Sequence, residues 1–429
     1  MRMRPMTDAA PMPPALVLGL ASPTLAVIRG LGRRQIPQLA VGTRGTFVSH
    51  SRWHRPAPDP QGEAPSPPAL PQFLTRLPFE RMALIPCADQ WVAAVAGLDP
   101  SLTARFPASV ASPETIQIFL DKGRFAAAAA QLGVPHPRTI CLKPQDDLAA
   151  LPDAVFRGVF LKPRNSNAFA GRYGVKATWF KPRSEAIALV LDARRAGLEL
   201  MLQEYIPGPA TRHYRLTGFV DRGGALCACF AYRYLRRHPR EFAADGSYCV
   251  SIPLAEMSVA VQDAQRLLGA LRYRGMFNVQ FKYDDRDGLF KILEVHPRPG
   301  FRVGFAAACG VDLVEMAYRD ALGLSVKPVT EYEVGRYSLD PLPDLAAGSQ
   351  LIREGRLTLR AWMRSWLGAT QTIFCWDDPV PAFVYFLNAA RSFVRRRHRV
   401  RDVRRDPAPP PAVPRREVAD RASDARVVS

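Results

Sequence analysis

Residues 278–300, NVQFKYDDRDGLFKILEVHPRPG, restrict the fold more than any other part of this chain. They predict two antiparallel strands, because the segment 284–288 contains the Asp-Gly dipeptide that is typical of tight hairpin turns. Side chains alternate between the two faces of a strand. Phe277, Val279 and Phe281 therefore share one apolar face, which we expect to pack against a buried core.

The opposite face of this hairpin collects polar side chains. Asn278 and Gln280 lie on it in the first strand, Glu294 and His296 lie on it in the second, and Arg298 follows two residues later. A Mg²⁺ ion bound together with phosphates keeps several waters and takes only one or two carboxylates from the protein. Gln280, Glu294 and His296 are therefore candidate metal ligands. A surface hairpin with a solvated polar face is the alternative interpretation.

The scarcity of lysine singles out two candidate phosphate-binding residues, Lys122 and Lys162. The chain has 58 Lys and Arg residues, but only eight are Lys. A lysine in so arginine-rich a chain indicates a site that needs a compact point charge. Lys122 lies at the start of a predicted helix, and Lys162 ends an apolar run before the glycine-containing segment 164–175. A lysine and backbone amides at such a place are suited to phosphate binding.

These segments, in this order, resemble the ATP-grasp superfamily of carboxylate–amine ligases, over about residues 115–325. The likeness is strongest to its carbamoyl-phosphate-synthetase-like and D-aspartate-ligase-like branches. The matching segments are Asp121-Lys122, Gly133 to Pro137, Lys162-Pro163, the predicted flexible loop 164–175 with Gly171 and Gly174, the hinge Gln203-Glu204-Tyr205-Ile206, and Asn278 to Phe281 with Glu294, His296, Pro297 and Arg298.

The resemblance implies an enzyme that uses ATP to activate a carboxylate as an acylphosphate and joins it to an amine, releasing ADP and phosphate. Its cofactors would be ATP and Mg²⁺ or Mn²⁺, and its substrates a small carboxylate and a small amine. Arg298 and Lys162 would be catalytic. Lys122, Lys162, Gly171, Gly174 and the hinge Gln203, Glu204, Tyr205 and Ile206 would bind the nucleotide, and Gln280, Glu294 and His296 would bind metal.

The chain departs from the family pattern in two places. His296 stands where the family has an asparagine, so its imidazole, a softer ligand, either binds a metal such as Mn²⁺ or only hydrogen-bonds a metal-bound water. Residues 209–212 lack the acidic residue with which the family holds the ribose. A catalytically idle nucleotide-binding module with an assembly role at the membrane is therefore the alternative function.

Two arginines between the predicted strands are candidate substrate ligands. Arg233 and Arg236 resemble basic positions of the family, and their guanidinium groups are suited to a substrate carboxylate or a phosphate. An exposed cluster of solvated arginines is the alternative interpretation.

The predicted fold class is α/β and α+β. Residues 15–20, 24–33 and 38–41 predict a strand, a helix and a parallel strand. We expect a disordered leader (1–14), an N-terminal Rossmann-like pre-ATP-grasp domain (15–112), a two-lobed ATP-grasp domain (113–330), a partly helical C-terminal extension (331–400) and a disordered basic tail (401–429). The first unit lacks the spaced glycines of a dinucleotide-binding fingerprint.

Net charge and cysteine content indicate which classes of partner and which cellular compartment to expect. The net charge of +19 indicates a basic surface that faces phosphates or anionic lipid, and no nucleic-acid-binding motif is present. Seven scattered cysteines do not predict a disulfide framework, so we expect a cytoplasmic protein. The segment 381–405 joins an apolar, aromatic helix to an arginine run, which keeps open peripheral contact with the inner face of an anionic membrane. A helix that docks on the enzyme, with a solvated basic end, is the alternative interpretation.

Overall fold

The computed structural model divides the described chain into two units. The first runs through Ala382 and the second begins at Phe383. The described residues are 12–19, 22–42, 45–58, 65–143, 148–164, 166–175, 177–180, 183–237 and 246–391. Residues 1–11 of the predicted leader and the predicted tail 401–429 lie outside them. The predicted domain boundaries stay predictions.

The N-terminal part of the first unit contains a three-stranded parallel sheet in the order β2-β1-β3. Its elements are β1 (Ala15–Leu18), α1 (Ser22–Arg33), β2 (Gln38–Val41), α2 (Leu70–Arg76), β3 (Ala83–Pro86), α3 (Asp89–Ala96) and α4 (Pro100–Arg105). All four residues of β1 are buried, as expected for a central parallel strand that is covered on both faces. The predicted strand–helix–strand unit is confirmed.

A small antiparallel sheet in the order β4-β6-β5 follows. The elements of this region are α5 (Pro113–Leu120), α6 (Lys122–Gln131), β4 (Thr139–Cys141), β5 (Val159–Pro163), α7 (Ser166–Tyr173), α8 (Arg183–Arg195) and β6 (Leu200–Glu204). Leu161, Leu202 and Phe169 belong to one buried core between this sheet and its helices. This sheet with α7 and α8 forms the small lobe.

A seven-stranded sheet in the order β11-β10-β7-β8-β9-β12-β13 forms the large lobe. Its elements are β7 (His213–Val220), β8 (Leu226–Arg237), β9 (Gly246–Ile252), α9 (Ser258–Ala270), β10 (Gly275–Asp284), β11 (Leu289–His296), α10 (Val303–Ala308), α11 (Leu313–Ala321), β12 (Tyr337–Leu339), α12 (Pro341–Arg353), α13 (Leu359–Trp366) and β13 (Thr370–Gln371). The two lobes agree with the predicted fold class.

A buried ion pair ties residues 373–378 to the N-terminal sheet region. The Arg29 Nε atom donates to Asp378 Oδ2 at 2.9 Å, and Arg29 also donates to the Ile373 carbonyl at 2.8 Å. The Ser51 hydroxyl and the Arg52 backbone N–H donate to the same carboxylate at 2.7 and 2.9 Å. The polar groups of this buried pair are therefore satisfied by hydrogen bonds as well as by charge.

Two further features bear on the sequence predictions. The seven cysteines are all free thiols, in agreement with the expected absence of a disulfide framework. Among the described residues, no helix has both the length and the apolar composition that a bilayer crossing requires. Residues 380–391 are helical, and the rest of the segment 381–405 lies outside the described residues.

Candidate active site

One cavity of about 1160 Å³ is lined by residues of both lobes. Its walls include the predicted lysines, the hinge and the polar face of the hairpin: Lys122, Lys162, Gln203, Glu204, Tyr205, Ile206, Gln280, Glu294, His296 and Arg298. These side chains are distant in sequence, yet the fold brings them to a single cleft. The clustering on which the sequence interpretation depends is therefore present in the structure.

The hairpin presents its polar face to the cavity as predicted. Strands β10 and β11 pair Asn278 with His296 and Gln280 with Glu294. The turn closes between Asp284 and Gly288, whose φ of 72° is a conformation that glycine adopts at little cost. The Phe277, Val279 and Phe281 side chains on the other face are fully buried. Burial of that face forces the polar face toward the cleft.

Helix α6 and strand β5 supply the two lysines. The Asp121 carboxylate caps α6 by accepting from the Gly123 and Arg124 backbone N–H groups at 2.8 and 3.0 Å. Lys122 is consequently the first residue of α6, at the cavity wall. Lys162 lies near the end of β5, and its Nζ atom donates to Gln203 Oε1 on β6 at 3.1 Å.

Charges in the cavity shift the pKa values of Lys162 and Glu294. Burial lowers the pKa of Lys162 to about 8; Glu294 opposes this shift and Lys122 adds to it. Burial raises the pKa of Glu294, but His296, Lys162 and Lys122 outweigh burial and hold it well below its ordinary value. Glu294 is thus a carboxylate at neutral pH, ready to act as an anionic ligand.

The candidate metal ligands are compatible with a hard divalent cation. The Gln280 Oε1 atom is buried and accepts no hydrogen bond. Such an orphaned acceptor is rare and costly unless something else satisfies it. The Glu294 Oε1 atom lies 3.4 Å from His296 Nε2. Three His, Cys, Asp or Glu side chains do not converge anywhere in the described chain, so a metal here would also need the Gln280 amide oxygen, waters or substrate oxygens.

Arg298 connects this site to the N-terminal sheet region. Its Nε atom donates to Asp89 Oδ1 at 2.5 Å, and both residues line the cavity. Asp89 is the first residue of α3, where its negative charge also suits the helix dipole. The ion pair fixes one edge of the guanidinium, and Nη1 also donates to the Pro299 carbonyl at 3.4 Å.

The hinge forms an apolar end of the cavity. The Tyr205 ring packs against Trp179 at a centroid distance of 4.8 Å, and Phe160 and Ile206 also line this end. The Glu204 carboxylate is engaged elsewhere: it accepts from Arg286 at 2.5 Å and from the Arg138 backbone N–H at 3.1 Å. Glu204 nevertheless lines the cavity, and its nucleotide-binding role stays a prediction.

The predicted substrate ligands Arg233 and Arg236 do not line the cavity. Arg236 is buried and makes a two-pronged contact with the Asp344 carboxylate, at 2.7 and 2.9 Å. Arg233 lies 3.7 Å from Glu256. The structure thus corrects both predictions, and Arg236 has a structural role between β8 and α12.

The predicted flexible loop 164–175 is wrong over most of its length. Helix α7 occupies Ser166–Tyr173, and it is anchored by Phe169, whose buried ring lies 4.4 Å from that of Tyr173. Gly171 and Gly174 are exposed and do not line the cavity. Their nucleotide-binding roles are not supported, because packing of the aromatic side chains turns this segment into a helix.

The cavity wall also contains residues that the sequence analysis did not single out, among them His213, Arg215 and Arg237. All three are buried, Arg215 Nη1 donates to Asn278 Oδ1 at 3.0 Å, and Arg237 contacts the His213 ring. Burial, followed by the charge of Arg215, lowers the pKa of Arg237 to about 10. Burial and the neighbouring cations lower the pKa of His213 well below its ordinary value, so its ring is neutral. This side of the cavity is strongly positive.

Strand alternation could have found two of them. His213 and Arg215 are two residues apart at the start of β7, and Gln280 pairs directly with Arg215. Arg237 could not be found in this way, because irregularities in the pairing of β8 with β9 fall between Tyr234 and Arg236 and again between Arg236 and Arg237. A bulge changes which face a side chain occupies. The bulge therefore selects Arg237, and not Arg236, for the cavity.

Comparison with known proteins points to the same fold and chemistry. Residues 243–338 match the family model described as "ATP-grasp in the biosynthetic pathway with Ter operon". The chain is 24% identical to D-aspartate ligase of Enterococcus faecium over 64% of its own length and 68% of that protein. It is 29% identical to D-alanine–D-alanine ligase of Acidiphilium cryptum over 45% of its own length and 63% of that protein.

Solved structures with this fold include N5-carboxyaminoimidazole ribonucleotide synthetase from Thermus thermophilus. It superimposes with a TM-score of 0.56 at 16% identity, covering 76% of this chain and 82% of that one. The biotin carboxylase domain of Hydrogenobacter thermophilus 2-oxoglutarate carboxylase, in complex with MgADP, gives a TM-score of 0.59 at 16% identity over 76% of this chain and 73% of that one. The two lobes and the cleft between them are thus shared with these solved structures, and the chain is similar to ATP-grasp carboxylate–amine ligases.

Proposed function

We propose that this chain uses ATP to convert a carboxylate into an acylphosphate and then joins it to an amine, releasing ADP and phosphate. The observation that carries the proposal is the single cavity lined by Lys122, Lys162, Gln280, Glu294 and Arg298. Phosphoryl transfer asks a protein mainly to position its reactants and to neutralise charge. This cavity offers cations from both lobes around the half-buried Glu294 carboxylate.

Each part of the cavity has a role in this proposal. Lys122 and Lys162 neutralise the α- and β-phosphates, while the apolar end at Tyr205 and Ile206 receives the adenine. Arg298 offers paired donors to the transferred phosphoryl group. A bound Mg²⁺ would screen the phosphate oxygens, held by Gln280 Oε1, the Glu294 carboxylate and, in place of the usual asparagine, His296. Whether His296 favours Mn²⁺ stays a prediction.

The positive wall beside the hairpin supports a role in binding the acid. Arg215 and Arg237 lie on β7 and β8, beyond Gln280 and away from Glu294 in strand order. Two buried cations so close together favour an anion between them. We assign them to the substrate carboxylate and to the acylphosphate that forms from it. These residues take the place of Arg233 and Arg236 as candidate substrate ligands.

The relatives suggest the class of substrate. One is named for D-aspartate and another for D-alanine. An amino acid is therefore our proposal for at least one of the two substrates. Placement in the cytoplasm and peripheral contact with an anionic membrane through 381–405 stay predictions.

Trapping the acylphosphate tests the proposal. Purified protein with ATP, Mg²⁺ and pools of amino acids and carboxylic acids should release ADP, and added hydroxylamine should yield the hydroxamate of one acid. Mass spectrometry identifies that hydroxamate. ATP binding without acid-dependent ADP release would instead indicate the idle nucleotide-binding module, and release of AMP would contradict acylphosphate formation.

Nucleotide affinity should depend on pH through Lys162. Only the protonated ammonium attracts phosphate, so affinity should be constant below about pH 8 and should fall by up to about tenfold per pH unit above it. Calorimetric titration with a non-hydrolysable ATP analogue measures this dependence. In Lys162→Met the affinity should be weaker and independent of pH over the same range. An unchanged slope in that variant would assign the titration to another group.

Replacing Gln280 with Met should weaken Mg²⁺ binding without destabilising the fold. We expect the Mg²⁺ concentration for half-maximal ATP-analogue binding to rise roughly tenfold. Thermal stability should not fall, because an apolar group replaces a buried acceptor that has no partner. Gln203→Met is the control: it removes the contact with Lys162 and should weaken nucleotide binding at every Mg²⁺ concentration. A large loss of stability in Gln280→Met would contradict the conclusion that Gln280 Oε1 accepts no hydrogen bond in the folded protein.

A further inference from the structure

Helix α13 exposes a stripe of apolar side chains. Leu359 is 56% exposed, Met363 is 57% exposed, and Leu367, just beyond the last helical residue, is 79% exposed. Leu359 and Met363 are four residues apart and therefore lie on one side of the helix. Exposure of these apolar side chains to water is unfavourable, so we expect another surface to cover this side of the helix.

The rest of the helix is anchored so that this stripe must face outward. The Trp362 and Trp366 indole N–H groups both donate to Asp344 Oδ2, at 2.9 and 3.0 Å. Helix α12 approaches closely at Gly348, where a Cβ atom would lie 2.2 Å from Trp362 Nε1. Asp344 is fully buried. Rolling the helix to bury the stripe would remove two donors from this buried carboxylate, so the exposed orientation is built in.

Arginines border the stripe. Arg360 and Arg364 each follow a stripe residue by one position, and both are exposed. The segment 351–367 carries four arginines, at 353, 356, 360 and 364, against a single acid, Glu354. An apolar stripe with a cationic border is the pattern of a helix that lies in the interface of an anionic bilayer.

We propose that α13 docks on an anionic lipid bilayer. Leu359, Met363 and Leu367 enter the boundary between headgroups and acyl chains, and Arg360 and Arg364 contact lipid phosphates. A protein partner fits less well, because a specific interface needs on the order of 20 residues on each side and close shape complementarity. A bilayer needs neither. The proposal does not depend on the ligase activity.

Vesicle flotation with the full chain tests the proposal. The probes are phosphatidylcholine vesicles with and without about one-third phosphatidylglycerol, at about 0.1 M and about 0.5 M NaCl, since salt screens headgroup attraction. The variant is the triple substitution Leu359→Ser, Met363→Ser and Leu367→Ser. The control carries Leu191→Ser and Val259→Ser, two exposed apolar residues on helices α8 and α9. Melting temperature and molar mass are measured for each protein.

The wild-type chain and the control should float with anionic vesicles at low salt and should not float with neutral ones. The triple variant should bind at least about tenfold more weakly, with unchanged melting temperature. Equal flotation of the triple variant would assign binding to the tail and overturn the proposal. So would failure of the wild-type chain to float. A wild-type dimer that the triple substitution turns into a monomer would show that a second copy covers the stripe.

Discussion

Glu294→Gln is expected to lower acid-dependent ADP release roughly 1000-fold, because removing the Glu294 charge from the cavity forfeits several kcal/mol of transition-state stabilisation. Glu294 lines the same cavity as Lys122, Lys162 and Arg298, and His296, Lys162 and Lys122 hold it in its charged form. The substitution keeps the size of the side chain. The loss should therefore appear in turnover and in hydroxamate yield, with little change in melting temperature.

The control for this prediction is Glu256→Gln. Glu256 is also a glutamate paired with a cation, but its partner is Arg233 and it does not line the cavity. We expect its turnover to stay within about twofold of wild type, since exposed ion pairs contribute little. Comparable losses in the two variants would mean that a general effect on charge, and not the cavity, controls turnover.

Arg236→Ala is expected to lower the free energy of unfolding by about 3–5 kcal/mol, because it leaves the Asp344 carboxylate buried without its cation. The Asp344 side chain accepts two hydrogen bonds from Arg236, one from Ser247 and one each from Trp362 and Trp366. Denaturant unfolding followed by tryptophan fluorescence measures the loss of stability, since the Trp362 and Trp366 indoles both contact the Asp344 carboxylate.

Arg233→Ala provides the matched comparison three residues away on the same strand. Its ion pair with Glu256 is 3.7 Å long and half-exposed, so the expected cost is less than about 1 kcal/mol. Equal costs for the two arginines would contradict the structural role given to Arg236. Lost ligase activity in a stably folded Arg233→Ala protein would restore that residue as a substrate ligand.

Local patterns in the sequence predicted the hairpin and the N-terminal strands correctly. The hairpin has a clear turn signal, and Phe277, Val279 and Phe281 alternate with polar residues along β10 and are buried; a register shift between Gln280 and Phe281 interrupts the pairing with β11. The lysines were found through their scarcity and the ordered resemblance, and the hinge through the resemblance alone. Their convergence on one cavity needed the tertiary structure, since β5, β6 and β10 are far apart in sequence.

The failures have equally specific causes. The segment 166–173 contains a glycine and was predicted as a loop, but packing of Phe169 against the small lobe stabilises a helix there. Arg236 and Arg237 are adjacent and chemically identical, so only the bulged pairing of β8 decides which of them faces the cavity. A β-bulge within a strand leaves no clear signal in a single sequence. The sequence pattern therefore could not show that Arg237, and not Arg236, faces the cavity.

The buried ion pair between Arg29 and Asp378 bears on how this protein folds during its synthesis. Arg29 belongs to α1, yet its buried guanidinium finds its counter-charge about 350 positions later. Until the ribosome has delivered that aspartate, the region around α1 must hold a cation in its interior without compensation. Its maturation is thus tied to synthesis through Asp378, and premature termination upstream of that residue should yield products that chaperones and proteases recognise as unfinished.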